Sequence, residues 1–353
     1  MQDNDHAFHK LSVSIENLRF PLVFFIIMLH CYTTTNMMVR GHVDYFRMVY
    51  PFALWLGETG VPAYFFISGM LFFYSKKNYG QRVQSRIKTL LVPYLFFNGV
   101  VLMGYIVMML LGESVSIQGK NLADYNILDY VRAFWDRGTW LGGNGAPLLC
   151  PFWYIRNLMV LVVLSPVLYY IIKYTRLLFP LVMGCFWINS FDSAYTFQSL
   201  TMFSLGAFYP ICGYNPIMTF VKYRYFFIGI FVLLGIGDIA HVFIHVPYAP
   251  HIHRLSLVAN VFFLIWFGQY FSRYRFFYSS FLSRSAFFVF CIHYPLVQST
   301  KVLFSRLGHS SDAMIFVAYL FCIICVTVIS VYVYYLMRRL IPGTLNFMTG
   351  SRA

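Results

Sequence analysis

Residues 313–337 lie between Asp312 and Arg338 without one charged side chain. A helix of about 20 apolar residues crosses the hydrocarbon core of a bilayer, and this run is long enough to do so. Runs on that scale recur along the chain. They predict spans over 18–36, 50–74, 89–111, 148–172, 177–192, 197–216, 225–245, 254–272, 286–304 and 313–337. The fifth and sixth are the least regular, because Asn189, Ser190 and Asp192 interrupt them and Tyr209-Pro210 kinks the sixth. Only 11% of the residues are charged and 59% are hydrophobic, against roughly 25% charged in a soluble domain. A soluble chain could not hide that much apolar surface, whereas a lipid-embedded one need not. The pattern predicts an all-α, polytopic integral membrane protein of about ten transmembrane helices.

The formal net charge of +14 would suggest a nucleic-acid partner in a soluble protein. Here the charges sit between apolar runs, so they report topology and no nucleic acid is expected. With the N-terminus inside, 17 of the 26 Lys and Arg residues fall on the inner side and 9 on the outer, the sign that the positive-inside rule requires. An even number of spans puts both termini in the cytoplasm. The expected organisation is a cytoplasmic segment (1–17), a transmembrane domain (18–340) and a cytoplasmic tail (341–353), in a cytoplasmic membrane. Residues 1–16 lack the features of a cleavable signal peptide. The longest segment between spans, 112–147, is placed outside; it holds Trp135, Trp140 and the stretch Leu141-Gly142-Gly143-Asn144-Gly145, which either caps a site or simply connects helices. Cys322 and Cys325 have C-x-x-C spacing. Inside an apolar helix that spacing reads as packing, and nothing argues for a disulfide framework.

Ionisable side chains in lipid spans are costly and mark function. The first span has Arg19 and His30, eleven residues apart. Eleven steps return to nearly the same helix face with a rise of roughly 16 Å. Arg19 then sits near the inner mouth of a groove and His30 about three turns deeper on the same wall. That geometry suits a long donor with an anionic head and a reactive tip, such as acetyl-CoA: arginine binds phosphate and histidine serves as a base near neutral pH. The spacing alone equally suits a snorkelling arginine and a histidine bonded within the helix core. Pro21 is read as lying close to the helix start, where proline is tolerated.

Further motifs narrow the reading. Gly60-Val61-Pro62-Ala63-Tyr64-Phe65-Phe66-Ile67-Ser68-Gly69-Met70-Leu71 leads into Arg82-Val83-Gln84-Ser85-Arg86-Ile87-Lys88 and Val92-Pro93-Tyr94. Phe152-Trp153-Tyr154-Ile155-Arg156-Asn157-Leu158 and Phe288-Val289-Phe290-Cys291-Ile292-His293-Tyr294-Pro295-Leu296 follow. With Arg19 and His30, this set resembles the acyltransferase family 3 membrane proteins, which O-acetylate cell-surface sugars. The resemblance covers roughly residues 17 to 300. It implies that His30 is the essential histidine and Arg19 its partner. It also implies that Arg82 and Arg86, with Lys88, meet the donor's phosphates, although the family's usual Arg-x-x-Arg is here Arg-x-x-x-Arg. The bland reading of that loop is a positive-inside patch on anionic lipid. Ser68 reads either as a donor ligand or as a packing residue beside Gly69. Trp153, Tyr154 and Arg156, at the expected outer end of the fourth span, read as a sugar platform or as an interfacial belt. His293 reads as a second site histidine on the acceptor side.

Glu58 is the acid nearest the start of the second span, placed either to orient a histidine or to meet solvent. Asp238 lies three residues before His241 inside the seventh span and reads as an ion pair or proton path. His241 and His245 share a face, but no H-E-x-x-H motif is present, and neither a metal nor a permanently bound cofactor is expected. The enzyme expected is an O-acetyltransferase acting from acetyl-CoA on a carbohydrate hydroxyl. The alternative is a transporter or flippase of glycan precursors, whose usual mark is an internal repeat; none is visible.

Overall fold

A computed structural model describes residues 2–38, 43–117, 119–136, 145–190, 194–271, 280–305 and 311–351. The loop stretch 141–144, Trp140 and Asp192 lie outside the described residues. The chain is helical almost throughout: α1 (Gln2–Met38), α2 (Val43–Tyr50), α3 (Gly60–Tyr74), α4 (Tyr79–Arg86), α5 (Val92–Leu110), α6 (Ile127–Ala133), α7 (Trp153–Val163), α8 (Ser165–Thr175), α9 (Leu178–Asn189), α10 (Ala194–Ile211), α11 (Pro216–Lys222), α12 (Arg224–Ala240), α13 (Ala249–Phe271), α14 (Ser280–Ser305), α15 (Asp312–Leu340) and α16 (Pro342–Met348). A π-helical turn (Pro51–Leu56) and a 3-10 turn (Gly57–Thr59) join α2 to α3. Among the described residues, six helices are long and apolar enough to cross a membrane, or seven if Cys150–Val163 and Ser165–Thr175 are counted together. α9 is apolar but short. This is the architecture of an all-α polytopic membrane protein.

The lipid-facing character is plain in α15. Ile315, Tyr319, Cys322, Val326, Ser330 and Tyr334 form its buried stripe, while Val317, Phe321, Ile324 and Val328 lie on the exposed side. A helix apolar all round suits hydrocarbon on its outer face.

The chain forms two compact units. The first comprises Met1–Lys76 and Ser165–Tyr335. Its core joins Leu18 and Leu22 of α1, Phe66 and Met70 of α3, Tyr209 of α10, Phe220 of α11 and Val261 and Ile265 of α13. α3 and α10 touch backbone to backbone. A Cβ on Gly69 would lie 2.0 Å from the Phe203 carbonyl oxygen, and one on Gly206 would lie 2.0 Å from that of Phe66. Only glycine permits so close a crossing. α1 corrects one expectation: it begins at Gln2, so Pro21 is internal. Proline carries no N–H, so the Asn17 carbonyl loses its helical partner there.

The second unit comprises Lys77–Leu164 and Leu336–Ala353. The Asn78 side chain accepts from the Gln81 amide at 2.9 Å, and the Gln81 side chain accepts from the Asn78 amide at 3.2 Å; this capping box starts α4. α7 runs beside α4 and α5. The Tyr79 hydroxyl donates to Val163 O at 3.1 Å, Tyr94 stacks on Phe152, and Asn98 Oδ1 accepts from the Leu149 amide at 2.9 Å. The segment after α5 has its own small core, Val115, Ile117, Leu122, Ala133 and Leu148. A two-residue strand pair and α6 carry it, and Lys120 bonds Asp129 at 2.5 Å.

Candidate active site

The structure brings together two histidines from opposite ends of the chain. His30 of α1 lies half-buried. Its ring sits 5.3 Å from that of His293 on α14, with 38° between the planes, and 5.2 Å from Tyr294 in an edge-on contact. His293 is fully buried. Its Nδ1 donates to the Phe290 carbonyl at 2.7 Å, and its Nε2 has no hydrogen-bond partner among the described residues. A carbonyl only accepts, so the proton sits on Nδ1 and Nε2 presents a lone pair. A buried acceptor left open in this way is costly unless a ligand's donor fills it.

α15 braces α1 on both sides of His30. The Tyr319 hydroxyl donates to Met28 O at 3.2 Å, and Cys322 Sγ lies 3.3 Å from Cys31 Sγ. Cys322 therefore faces Cys31 and Thr300. Cys322 thus lies where α15 meets α1 and α14.

The other expected site residues divide by unit. In the first unit Arg19 is exposed, and its carbonyl accepts from the Tyr64 hydroxyl at 2.6 Å. Ser68 is half-buried on α3 beside the glycine crossing. In the second unit Arg82 Nε donates to Lys77 O at 2.7 Å. Lys88 is exposed and lines an open pocket of about 790 Å³ with Lys77, Gln81, Gln84, Ser85 and Gly350. Arg82 and Arg86 do not line that pocket. Arg86 instead lies within electrostatic range of Tyr154. Phe152, the residue before α7, stacks on Tyr94, so the start of α7 lies beside the first turn of α5. Arg156 is held by the second unit itself: Nη1 donates to Trp135 O at 2.5 Å, Nε and Nη2 donate to Asn157 Oδ1, and the guanidinium lies over the Trp135 ring.

One constellation was not assembled from the sequence. His253 of α13 lies between two carboxylates, with Nδ1 2.9 Å from Asp238 Oδ2 and Nε2 2.9 Å from Glu58 Oε2. Asp238 also accepts from the Tyr50 hydroxyl at 2.9 Å and the Ser256 hydroxyl at 2.5 Å. The signal available was the presence of Glu58 and Asp238, two of only 12 acidic residues, within apolar runs.

Residues 12–336 match the family model of the type 3 acyltransferase domain. The chain belongs to acyltransferase family 3. This member of the family is also similar to the succinoglycan biosynthesis protein ExoH of Rhizobium meliloti (strain 1021), with 26% identity over 343 residues, covering 88% of this chain and 84% of that protein. No solved structure matches it. The family match embraces His30 and His293 alike.

Proposed function

We propose that this acyltransferase moves an acetyl group from acetyl-CoA to a hydroxyl of a cell-surface or lipid-linked carbohydrate, from a cytoplasmic membrane crossed ten times with both termini inside. The observation that carries the reading is the apposition of His30 and the bare Nε2 of His293. Transfer from a thioester needs a group that accepts the hydroxyl proton as the oxygen attacks the carbonyl carbon. The C–S bond then breaks, and the same proton returns to the departing thiolate, so none is consumed. An imidazole does both tasks. In this reading His30 is the base, Tyr294 and His293 orient it, and Nε2 of His293 accepts from the incoming hydroxyl or from His30. Arg19 contributes an anion ligand from the same helix.

The pocket lined by Lys77 and Lys88 supports binding of the donor's phosphates in the second unit, with Arg82 and Arg86 adding positive charge. Trp153 and Tyr154 remain the proposed sugar-stacking rings. A carbohydrate acceptor is supported by the kinship with ExoH, whose name places it in succinoglycan biosynthesis.

The test uses the purified protein, labelled acetyl-CoA and alkali-deacylated exopolysaccharide from the same cells. Acceptor-dependent release of CoA with label on the glycan is expected, and His30→Ala should lower it by about 10²–10⁴-fold while the protein remains folded in the membrane. Counterflow of glycan without thioester loss would reject the enzyme reading.

A further inference from the structure

The last helix of the second unit is seated on the basic segment 82–88. α16 packs on α5 through Leu345, 1% exposed, and through Phe347, whose ring meets Phe96 edge-on at 6.0 Å. After Met348 the chain turns in a fixed way. The Gly350 amide donates to Phe347 O at 3.2 Å and the Ser351 amide to Asn346 O at 2.6 Å, the paired bonds of a Schellman C-cap. Thr349 is buried there, and its hydroxyl donates to Leu345 O at 2.8 Å. Gly350 takes the left-handed conformation that this cap needs, with φ +63°.

The cap lands on a defect in the helix that carries Lys88. Ile87–Leu91 is a π turn, in which the Val92 amide donates to Ile87 O. The Lys88 carbonyl would take the next amide in that pattern, but the next residue is Pro93, which has no N–H. Gly350 lies against that carbonyl. A Cβ on Gly350 would be 2.5 Å from Lys88 O and 2.6 Å from Thr89 Cα. No side chain fits there, so tail and turn approach as closely as backbone permits.

The cavity beside this contact has the make-up of an anion site. Gly350 and Ser351 line the pocket of about 790 Å³ together with Lys77, Gln84, Ser85 and Lys88. That is the size of a small-molecule pocket, larger than a single ion needs. Among the described residues no carboxylate lines it. Lys88 makes no ion pair with them, and the side chains of Gln84, Ser85 and Ser351 make no hydrogen bond with them. Cations, an amide and hydroxyls lining one space suit a ligand that carries phosphate and further hydrogen-bonding groups.

We propose that the C-cap of α16 forms one wall of the donor site: the Ser351 hydroxyl bonds the phosphorylated adenosine end of the CoA donor, and Gly350 is the positioning residue that fixes the Lys88 backbone beside it. The inference rests on the donor reading of this pocket given above. The adenosine end carries phosphates, a ribose and a base with polar nitrogens, and the lining offers a partner to each kind of group. A phospholipid head shares the phosphate chemistry, so the experiment separates the two sources.

The probes are adenosine 3′,5′-bisphosphate, which has the donor's head and no thioester, and acetyl-pantetheine, which has the thioester and no head. Binding of the first to detergent-solubilised protein is measured for wild type, Gly350→Ala, Ser351→Ala, Lys88→Gln and Gly343→Ala. Transfer to the deacylated exopolysaccharide from acetyl-CoA and from acetyl-pantetheine is measured for the same proteins. Gly350→Ala and Ser351→Ala should each weaken binding by about 10-fold, the loss typical of one hydrogen bond to a charged group, and raise the KM for acetyl-CoA in step. Transfer from acetyl-pantetheine should not change. Gly343→Ala, in the same helix with nothing within 4 Å of the new carbon, is the control and should bind as wild type does.

Unchanged binding of adenosine 3′,5′-bisphosphate in the two tail variants overturns the proposal. So does an equal loss of transfer from acetyl-pantetheine, the mark of a general disturbance of the fold. Weaker binding to phosphatidylglycerol vesicles, with nucleotide binding unaltered, assigns the pocket to lipid and overturns it too. If Gly350→Ala fails to fold, Ser351→Ala, which leaves the cap intact, decides. Lys88→Gln separates this inference from the reading beneath it. Weaker nucleotide binding there, with none in the tail variants, sinks the tail's part alone; no loss in any of the three sinks the donor reading of the pocket.

Discussion

The ring of His293 lies 5.3 Å from that of His30, with its Nδ1 tied to Phe290 O and its Nε2 bare. On the mechanism proposed above the two imidazoles act as a unit, and removing either should disable the pair. His30→Ala is expected to lower acetyl transfer by about 10²–10⁴-fold, the usual worth of general-base help. His293→Ala should also lower it, and the double variant should be little worse than His30→Ala alone. Single-turnover kinetics on the three proteins checks this; simply additive losses would separate the two residues.

The crossing of α3 and α10 has no room for a methyl group at either glycine. Gly69→Ala and Gly206→Ala should each destabilise the protein by about 1–3 kcal/mol or more, because the helices must part. Gly99→Ala, where nothing lies within 4 Å of the added carbon, is the control and should change little. Thermal unfolding in detergent distinguishes them.

Lys77 and Lys88 share one pocket. Reversing charge with Lys88→Glu should raise KM for acetyl-CoA and leave KM for the polysaccharide unchanged. Added salt should weaken donor binding by wild type more than by the variant, since exposed charges are screened. Equal salt dependence in both would remove Lys88 from donor binding.

Asp129 starts α6 by bonding the Asn126 amide and meets Lys120. The Lys120 ammonium first, then the Asn126 amide, holds its carboxyl below the usual range. The folded carboxyl is thus the stronger acid, so its contribution is complete above the ordinary carboxylate pKa and fades as the pH falls through the folded value. The protection of the α6 amides, taken relative to their intrinsic exchange rate at each pH, should fall on acidification in wild type. Asp129→Asn should show less protection at neutral pH and a flatter dependence of that protection on pH.

Much of the fold was legible because hydrocarbon imposes a length. The runs read at 89–111, 254–272, 286–304 and 313–337 correspond to α5, α13, α14 and α15. The run at 50–74 was less transparent, since Pro51 and Gly57 break it into a π turn, a 3-10 turn and α3. The run at 148–172 is two helices, α7 and α8. At the site, Arg19 and His30 could be related by counting along one helix. His30 and His293, or Glu58 and His253, could not: those pairs are made by tertiary packing, and no periodicity reaches across so many turns of unrelated helices. Arg156, named for sugar binding, proves to be engaged with Trp135 and Asn157, a contact that depends on how the segment before α7 folds back.

Pro21 stands between Arg19 and His30 inside α1, and the hydrogen-bond ladder is missing a rung there. The stretch joining cation to imidazole is consequently softer than the turns around it. The part of α1 before Pro21 can therefore shift without dragging the histidine with it, so long as Tyr319 and Cys322 hold Met28 and Cys31. A displacement at Arg19 and the setting of His30 are then mechanically separable on a single piece of chain.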